Sequence, residues 1–311
     1  MEIALYILAA FVFFILLPSV AITLFLFSRK NTFDFDERIG RGAGPYKPFM
    51  DRILSDMAWM RSQTSEKVSV TAPDGVVLKG DLYRAGTNRT AILMHGFCAT
   101  PLNNFSTIGR AFIERGYNVL LVWQRAHGES GGKGTTLGLT EKHDLIRWIE
   151  LTEKLVPGGD IVLYGISMGG ATVAYASDII ESPSVRSMII DCCYNCPYDQ
   201  MYKGKGIAAL LWAPIMPFIL LFTRLFFRVD IRDKTYAHLE KTDIPAVFIC
   251  GLADRKVPPK LFLKNHERCS SKKLLIEVPG APHALAFTAA DNLKIEDLFL
   301  FVGRSLRSDQ E

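Results

Sequence analysis

The sequence predicts an α/β fold, and three observations carry that expectation. Short apolar runs rich in β-branched residues alternate with segments of helical periodicity. One run, Ile161-Val162-Leu163-Tyr164, leads straight into the glycine-flanked serine turn Gly165-Ile166-Ser167-Met168-Gly169. Two later runs each deliver a polar residue, Asp254 and His283, just beyond their ends. At 311 residues the chain can bury one large doubly wound core. Its net charge of +4 is modest and spread out, with no dense basic stripe and no recognised module, so nucleic-acid binding is not expected.

The amino terminus comes first. Residues Ile3 to Phe27 carry no charge, and as a helix they would extend about 37 Å, more than a bilayer core of about 30 Å. A transmembrane anchor over residues 1–30 is therefore expected, with a bend at Pro18. Ser19-Val20-Ala21 resembles a signal-peptide cleavage site. Against cleavage, the leading residues hold Glu2 and no Lys or Arg, and the mature chain would begin Ile22-Thr23-Leu24-Phe25. Arg29 and Lys30 follow the span whereas Glu2 precedes it, which points to a single-pass protein with its large domain in the cytoplasm. Residues 31–66 read as a charged connector with Gly40, Gly42 and Gly44 and a short helix near Arg52 to Arg61. The main domain is expected over 67–306, and 307–311 form a tail.

Within that domain, Val68-Ser69-Val70 and Val76-Val77-Leu78-Lys79-Gly80-Asp81-Leu82 flank the turn Pro73-Asp74-Gly75 and read as a hairpin. Ala91-Ile92-Leu93-Met94 is a strand leading into His95-Gly96-Phe97. Phe105 to Arg115 is a helix stopped by Gly116, and Val119-Leu120-Leu121-Val122 is the next strand. Leu145, Ile146, Trp148, Ile149 and Leu155 make one helix face, with Thr140 as its start. Ala246 to Cys250 and Leu274 to Val278 are the strands that precede Asp254 and His283.

The chemistry follows from these placements. A chain turning tightly from strand to helix leaves no room for side chains beside the serine, so the flanking glycines expose Ser167 as a candidate nucleophile. A serine nucleophile needs a base, and the base an orienting acid. His283, in Pro279-Gly280-Ala281-Pro282-His283, is the candidate base and Asp254 the candidate acid. Asp191, at the end of the run Ser187-Met188-Ile189-Ile190, is a rival acid that could instead hold loop amides. The backbone N–H groups of Met168 and Phe97 are the candidate oxyanion donors, because Gly96 lets that loop approach the substrate. His95 precedes this glycine and reads as a structural residue bonding the loop. His143, His238 and His266 read as solvated or structural.

These residues carry a resemblance. His95-Gly96-Phe97, Gln124-Arg125-Ala126-His127-Gly128-Glu129-Ser130, Gly165-Ile166-Ser167-Met168-Gly169-Gly170, Asp254 and His283 together resemble an α/β-hydrolase of the serine hydrolase type. More narrowly, the chain resembles bacterial membrane-anchored hydrolases of the serine aminopeptidase-like and Bem46-like branch. The resemblance spans residues 67 to 306 and implies a mostly parallel core sheet with helices on both faces and an acyl-hydrolase triad, without naming a substrate. Many relatives carry Asp-x-Arg-Gly-x-Gly-x-Ser where this chain has Gln124 and Ala126, a departure in a structural loop. Pro282 is a second departure and restrains Ala281 to an extended conformation.

Where relatives carry a cap, this chain has an insertion of about 192–243 that includes the apolar run Ile207 to Phe227. Pro214, Pro217 and Arg224 interrupt it, and a second crossing would separate Ser167 from His283, so no second span is expected. Its residues, Trp212 and Phe218 among them, can pack on the core, line an acyl pocket or dip into the membrane interface. The six cysteines form no disulfide framework, and Cys193-x-x-Cys196 lacks a second pair for zinc. The expected activity is hydrolysis of a carboxylic ester with a hydrophobic part, needing no metal or organic cofactor. Aminopeptidase-like cleavage and a non-catalytic lipid-binding scaffold are the alternatives.

Overall fold

Eight apolar runs become eight strands of one sheet. They are β1 (Glu66–Thr71), β2 (Val77–Tyr83), β3 (Arg89–Met94), β4 (Asn118–Val122), β5 (Asp160–Ile166), β6 (Val185–Asp191), β7 (Ala246–Gly251) and β8 (Lys273–Val278). Their order is β1-β2-β4-β3-β5-β6-β7-β8. β2 runs antiparallel to both neighbours, and every other pairing is parallel. The computed structural model describes residues 2–29, 32, 44–201, 210 and 212–307. Lys30, the connector glycines Gly40 and Gly42, cap residues 202–209 and 211, and tail residues 308–311 lie outside the described residues.

The amino-terminal helix α1 (Glu2–Phe27) is long and apolar enough to cross a membrane, the one such helix among the described residues. It widens into a π-helical turn over Val12–Leu16, just ahead of Pro18. Proline has no N–H to donate and its ring crowds the preceding turn, so a wider turn absorbs it without breaking the helix. The next helices are α2 (Met50–Ser62), α3 (Pro101–Glu114), α4 (Glu141–Leu155) and α5 (Met168–Ala176). Past β6 follow α6 (Pro197–Met201), the apolar helix α7 (Met216–Phe227) and α8 (Thr235–Leu239). The chain closes with α9 (Pro259–Arg268), α10 (Ala286–Ala289) and α11 (Asn292–Arg307) around the last two strands.

Alternation along the strands divides the core into two faces. Ile92, Met94, Leu120 and Val122 pack with Trp148 and Phe248 on one face, whereas Ala91, Leu93, Val119 and Leu121 pack with Phe105, Phe112 and Tyr164 on the other. Successive side chains of a strand point to opposite faces, and helices covering both faces make β3, β4 and β5 buried almost throughout. Thr140 stands at the start of α4 as expected, but its side chain makes no capping bond. The buried carboxylate of Glu141 instead accepts from the Thr135 and Thr136 hydroxyls and the Thr136 and Gly138 amides, at 2.7–2.9 Å.

The carboxyl end of α1 is docked on the sheet domain. Thr135 N–H donates to the Phe27 carbonyl (2.8 Å), and Arg29 N–H to that of Lys133 (2.8 Å). The Arg29 guanidinium reaches the carbonyls of Ser130 (2.7 Å) and Gly128 (2.5 Å). α7 lies along α1: Phe218 meets Phe11 with ring centroids 5.5 Å apart, and Phe227 meets Phe27 at 5.3 Å.

Candidate active site

The elbow is built from close approach. A Cβ on Gly165 would overlap the Gly169 backbone, and one on Gly169 would overlap the Met94 carbonyl. Ser167 between them holds φ 55° and ψ −110° as the N-cap of α5. That strained conformation persists because the Ser167 N–H donates to the Asp191 carbonyl at 2.8 Å and its own carbonyl accepts from Ala171 at 2.9 Å.

From Ser167 a chain of hydrogen bonds runs inward. Ser167 Oγ lies 3.0 Å from His283 Nε2, and His283 Nδ1 lies 2.7 Å from Asp254 Oδ2. The other carboxylate oxygen of Asp254 accepts the amides of Lys256 (2.8 Å) and Val257 (2.9 Å), which fixes the acid's orientation. A hydroxyl donating to Nε2 and a carboxylate accepting from Nδ1 require the Nδ1–H tautomer of the neutral ring. The acid and histidine loops touch directly: a Cβ on Gly251 would overlap the Ala281 carbonyl, and Ala253 N–H donates to that carbonyl.

Asp191, the rival acid, sits elsewhere in the arrangement. One of its oxygens accepts from Tyr164 Oη at 3.2 Å, and the other is buried without a partner among the described residues. Burial raises its carboxyl to about 7, with nearby Asp254 adding to the shift. Its backbone serves the elbow while its side chain stays behind it.

The loop after β3 is held on both sides of Phe97. Gly96 N–H donates to Asn104 Oδ1 of α3 at 2.7 Å, and Cys98 N–H to His127 Nε2 at 3.2 Å. His95 donates from Nδ1 to the Gly96 carbonyl (2.7 Å) and accepts the Gln124 amide at Nε2 (3.1 Å), the loop-bonding role expected from its position. Gln124 returns a side-chain bond to the His95 carbonyl and accepts one from Thr172. Complete burial, and then the adjacent His127 ring, press the His95 imidazole down to about 3. Both nitrogens are committed, so His95 has none for a substrate.

A cavity of about 540 Å³ opens over Ser167. Phe97, Leu137, Met201 and Leu285 supply apolar walls, and Asn103, Gln200 and Lys256 supply polar ones. Two contributors come from outside the expected domain: Leu26 at the end of α1, and Tyr46 on the short helical turn Gly44–Phe49. Tyr46 Oη donates to the His283 carbonyl at 3.2 Å. Burial, followed by the proximity of Cys192 and Asp254, raises its phenol to about 12. Neither residue carries a motif, and hydropathy gives the only hint of Leu26. Of the three uses left open for the cap's apolar residues, lining the cavity is not that of Trp212 or Phe218. Trp212 packs on the core and Phe218 against Phe11 of α1, because the amino-terminal helix occupies the flank where they emerge.

The remaining expectations on polar residues resolve individually. His238 sits between Asp178 (2.8 Å) and Asp233 (3.1 Å), a structural ion-pair position. Cys193 Sγ donates to the Tyr194 carbonyl, while Cys196 Sγ accepts from Asp199 N–H and Lys234 Nζ, so the two sulfurs have separate partners. The thiol of Cys192 packs against the acid and base of the hydrogen-bond chain, its ligand atom within 4.8 Å of those of Asp254 and His283.

Comparison with known proteins agrees with this architecture. A family model of the alpha/beta hydrolase fold matches residues 92–203. Uncharacterized protein YqkD of Bacillus subtilis (strain 168) is 29% identical over 205 residues, 65% of this chain and 67% of its own length. Uncharacterized membrane protein YNL320W of Saccharomyces cerevisiae is 24% identical over 227 residues, covering 70% of this chain and 73% of that one. The solved structure of the Pyrococcus furiosus esterase Pf2001 superposes with a TM-score of 0.59 at 22% identity, over 79% of this chain and 93% of the esterase. Strand order, serine elbow and the matched family model together show that the chain has the alpha/beta hydrolase fold.

Proposed function

We propose that this α/β-hydrolase is a membrane-anchored serine hydrolase that cleaves a carboxylic ester with a hydrophobic acyl or alkyl part. The observation that carries the reading is the continuous chain Ser167 Oγ, His283, Asp254 Oδ2 at 3.0 and 2.7 Å, opening onto a largely apolar cavity. His283 Nε2 takes the Ser167 proton as Oγ attacks the ester carbonyl, and the resulting imidazolium is held by Asp254. The amides of Met168, at the start of α5, and Phe97 serve as donors to the tetrahedral oxyanion. Protonation of the leaving alcohol by His283 then releases it and leaves an acyl group on Ser167. A water deprotonated by His283 attacks that acyl group, giving the carboxylic acid and free Ser167.

The peptide-cleaving alternative draws no support from the cavity. An aminopeptidase needs a carboxylate for the substrate's terminal ammonium, and the described cavity lining includes Lys256 and no Asp or Glu. Anchoring is supported by the length and apolarity of α1 and by the likeness to a yeast protein named as a membrane protein. Arg29 after the helix and Glu2 before it support a cytoplasmic catalytic domain. Reaction of the full chain with a fluorophosphonate probe, lost in Ser167→Ala, tests the assignment. A wild-type chain that takes up no probe and hydrolyses no ester refutes it in favour of a non-catalytic scaffold.

A further inference from the structure

We propose that α1 and α7 enter the bilayer together as one two-helix wedge, and that the cavity over Ser167 receives a membrane-resident ester whose apolar chain runs past Leu26. The inference rests on the reading of α1 as a membrane anchor and asks how the catalytic domain must then sit.

Length decides the point. A helix crossing a bilayer core of about 30 Å needs about 20 residues at 1.5 Å each. α1 has 26 residues, but α7 already meets it at Phe11, through Phe218. The stretch before that contact, residues 2–10, spans about 14 Å, less than half the core. α1 therefore cannot cross a membrane while α7 stays wholly in water. Farther along the same helix Ser19, Thr23 and Phe27 are buried against protein, so the docked half is extensive.

The outer surface of α7 matches that placement. Leu221, Leu225 and Phe226 are 46%, 61% and 52% exposed, and on α1 Leu24 and Phe25 are 45% and 77% exposed. These exposed apolar side chains stand on two helices that pack against each other, and leaving them in water is costly. Charge marks where it ends. Phe27 and Phe227 meet at the carboxyl ends of the two helices, and cations follow both: Arg29 beyond α1, Arg228 beyond α7. Arg224, one turn inside α7, reaches Asp230 at 2.5 Å, and Arg232 pairs with the same carboxylate. Two apolar helices ending at one level in a basic belt fit a single membrane interface with anionic headgroups. Bilayer lipid is the occupant of this surface.

Leu26 lies just above that level and is part of the cavity wall, so the anchor contributes directly to the substrate site. An ester dissolved in the leaflet has its carbonyl near the interface and its chain in hydrocarbon, an orientation that follows from the wedge without leaving the membrane.

The test labels single cysteines in the full chain, in sheared membranes open to a bulky impermeant maleimide on both faces. In the structure Leu225 and Leu293 are similarly exposed, at 61% and 73%. The wedge predicts that Leu225→Cys, and Leu221→Cys as its repeat, react at least tenfold slower than Leu293→Cys, each above the parent's background. Equal rates in membranes that retain the protein through carbonate washing overturn this inference and leave the anchor reading intact. Release by carbonate overturns the anchor reading and this inference with it. For the cavity, Leu26→Trp is expected to lower the ratio of p-nitrophenyl dodecanoate to p-nitrophenyl acetate hydrolysis at least tenfold, and an unchanged ratio removes Leu26 from the substrate path.

Discussion

At the residue scale, the assignments turn on which polar groups face each other. Ser167→Ala and His283→Ala are each expected to abolish ester hydrolysis with unchanged melting temperature, because the two act as one unit. Asp254→Asn removes the acceptor that fixes the His283 tautomer and is expected to cost at least 100-fold in kcat. Asp191→Asn is expected to stay within about threefold of wild type, since the Asp191 side chain contacts Tyr164 and not His283. The same substitution makes a pH prediction. A carboxyl raised to about 7 in the fold binds its proton more tightly there than when unfolded, so its contribution to stability is complete below its ordinary range and lost as pH rises through about 7. The melting temperature of Asp191→Asn should accordingly fall less than wild type between pH 6 and pH 8. His95 acts in the opposite sense. Its ring, depressed to about 3, is protonated first in the unfolded chain, so stability is present above about 6.5 and is lost as pH falls toward about 3. His95→Asn is expected to melt at lower temperature at pH 7 but to lose less on acidification to pH 5, as followed by circular dichroism.

At the element scale, the cavity owes its walls to segments that are themselves held by buried polar groups. Glu141 at the start of α4 clamps the loop 135–138, which carries Leu137 into the cavity. Glu141→Gln places amide hydrogens against groups that already donate, and buried donors left facing donors cost about 1–3 kcal/mol. A melting temperature several degrees lower, with hydrolysis of long-chain esters reduced more than that of acetate, is the expected outcome. α7 behaves differently. Its described residues contact the core and α1 and are absent from the cavity lining. Phe218→Ser should therefore lower activity on long and short soluble esters alike, in a detergent-solubilised assay across acyl lengths. A selective loss for long chains would return Phe218 to the substrate path.

At the scale of the whole molecule, the amino-terminal helix is long and apolar enough to cross a membrane and is also part of the folded domain. Phe27 is fully buried, Arg29 bonds the loop that leads into α4, and Leu26 reaches the cavity. Truncation is thus expected to have a sharp boundary. Removing residues 2–10 should leave a folded hydrolase with weakened membrane retention, whereas removing 2–28 should lower the melting temperature and depress long-chain ester hydrolysis. Equal melting temperatures for the two truncations would mean that docking of α1 adds nothing to the domain. The topology proposed above predicts that a carboxyl-terminal reporter active only in the cytoplasm is active and that one active only outside is silent.

Features whose physics is local were legible in the residues alone. Short uninterrupted apolar runs became β3, β4 and β5, the Gly165 and Gly169 positions required a turn with no room for Cβ, and Ser167, Asp254 and His283 fell beyond strand ends in that order. Each of these is a property of a few consecutive residues, set by backbone sterics and by side-chain period. What the two acids face became visible only in three dimensions: Asp254 and Asp191 both follow strands, but the Asp254 carboxylate meets His283 and that of Asp191 meets Tyr164. The tertiary structure alone brought Leu26, Tyr46 and Leu137 to one cavity from segments far apart in the chain. It also set the described helix α7 of the cap against α1, outside the cavity lining. An apolar helix seeks any apolar surface, and its composition does not say which; that choice is made when the sheet has closed and one flank remains uncovered.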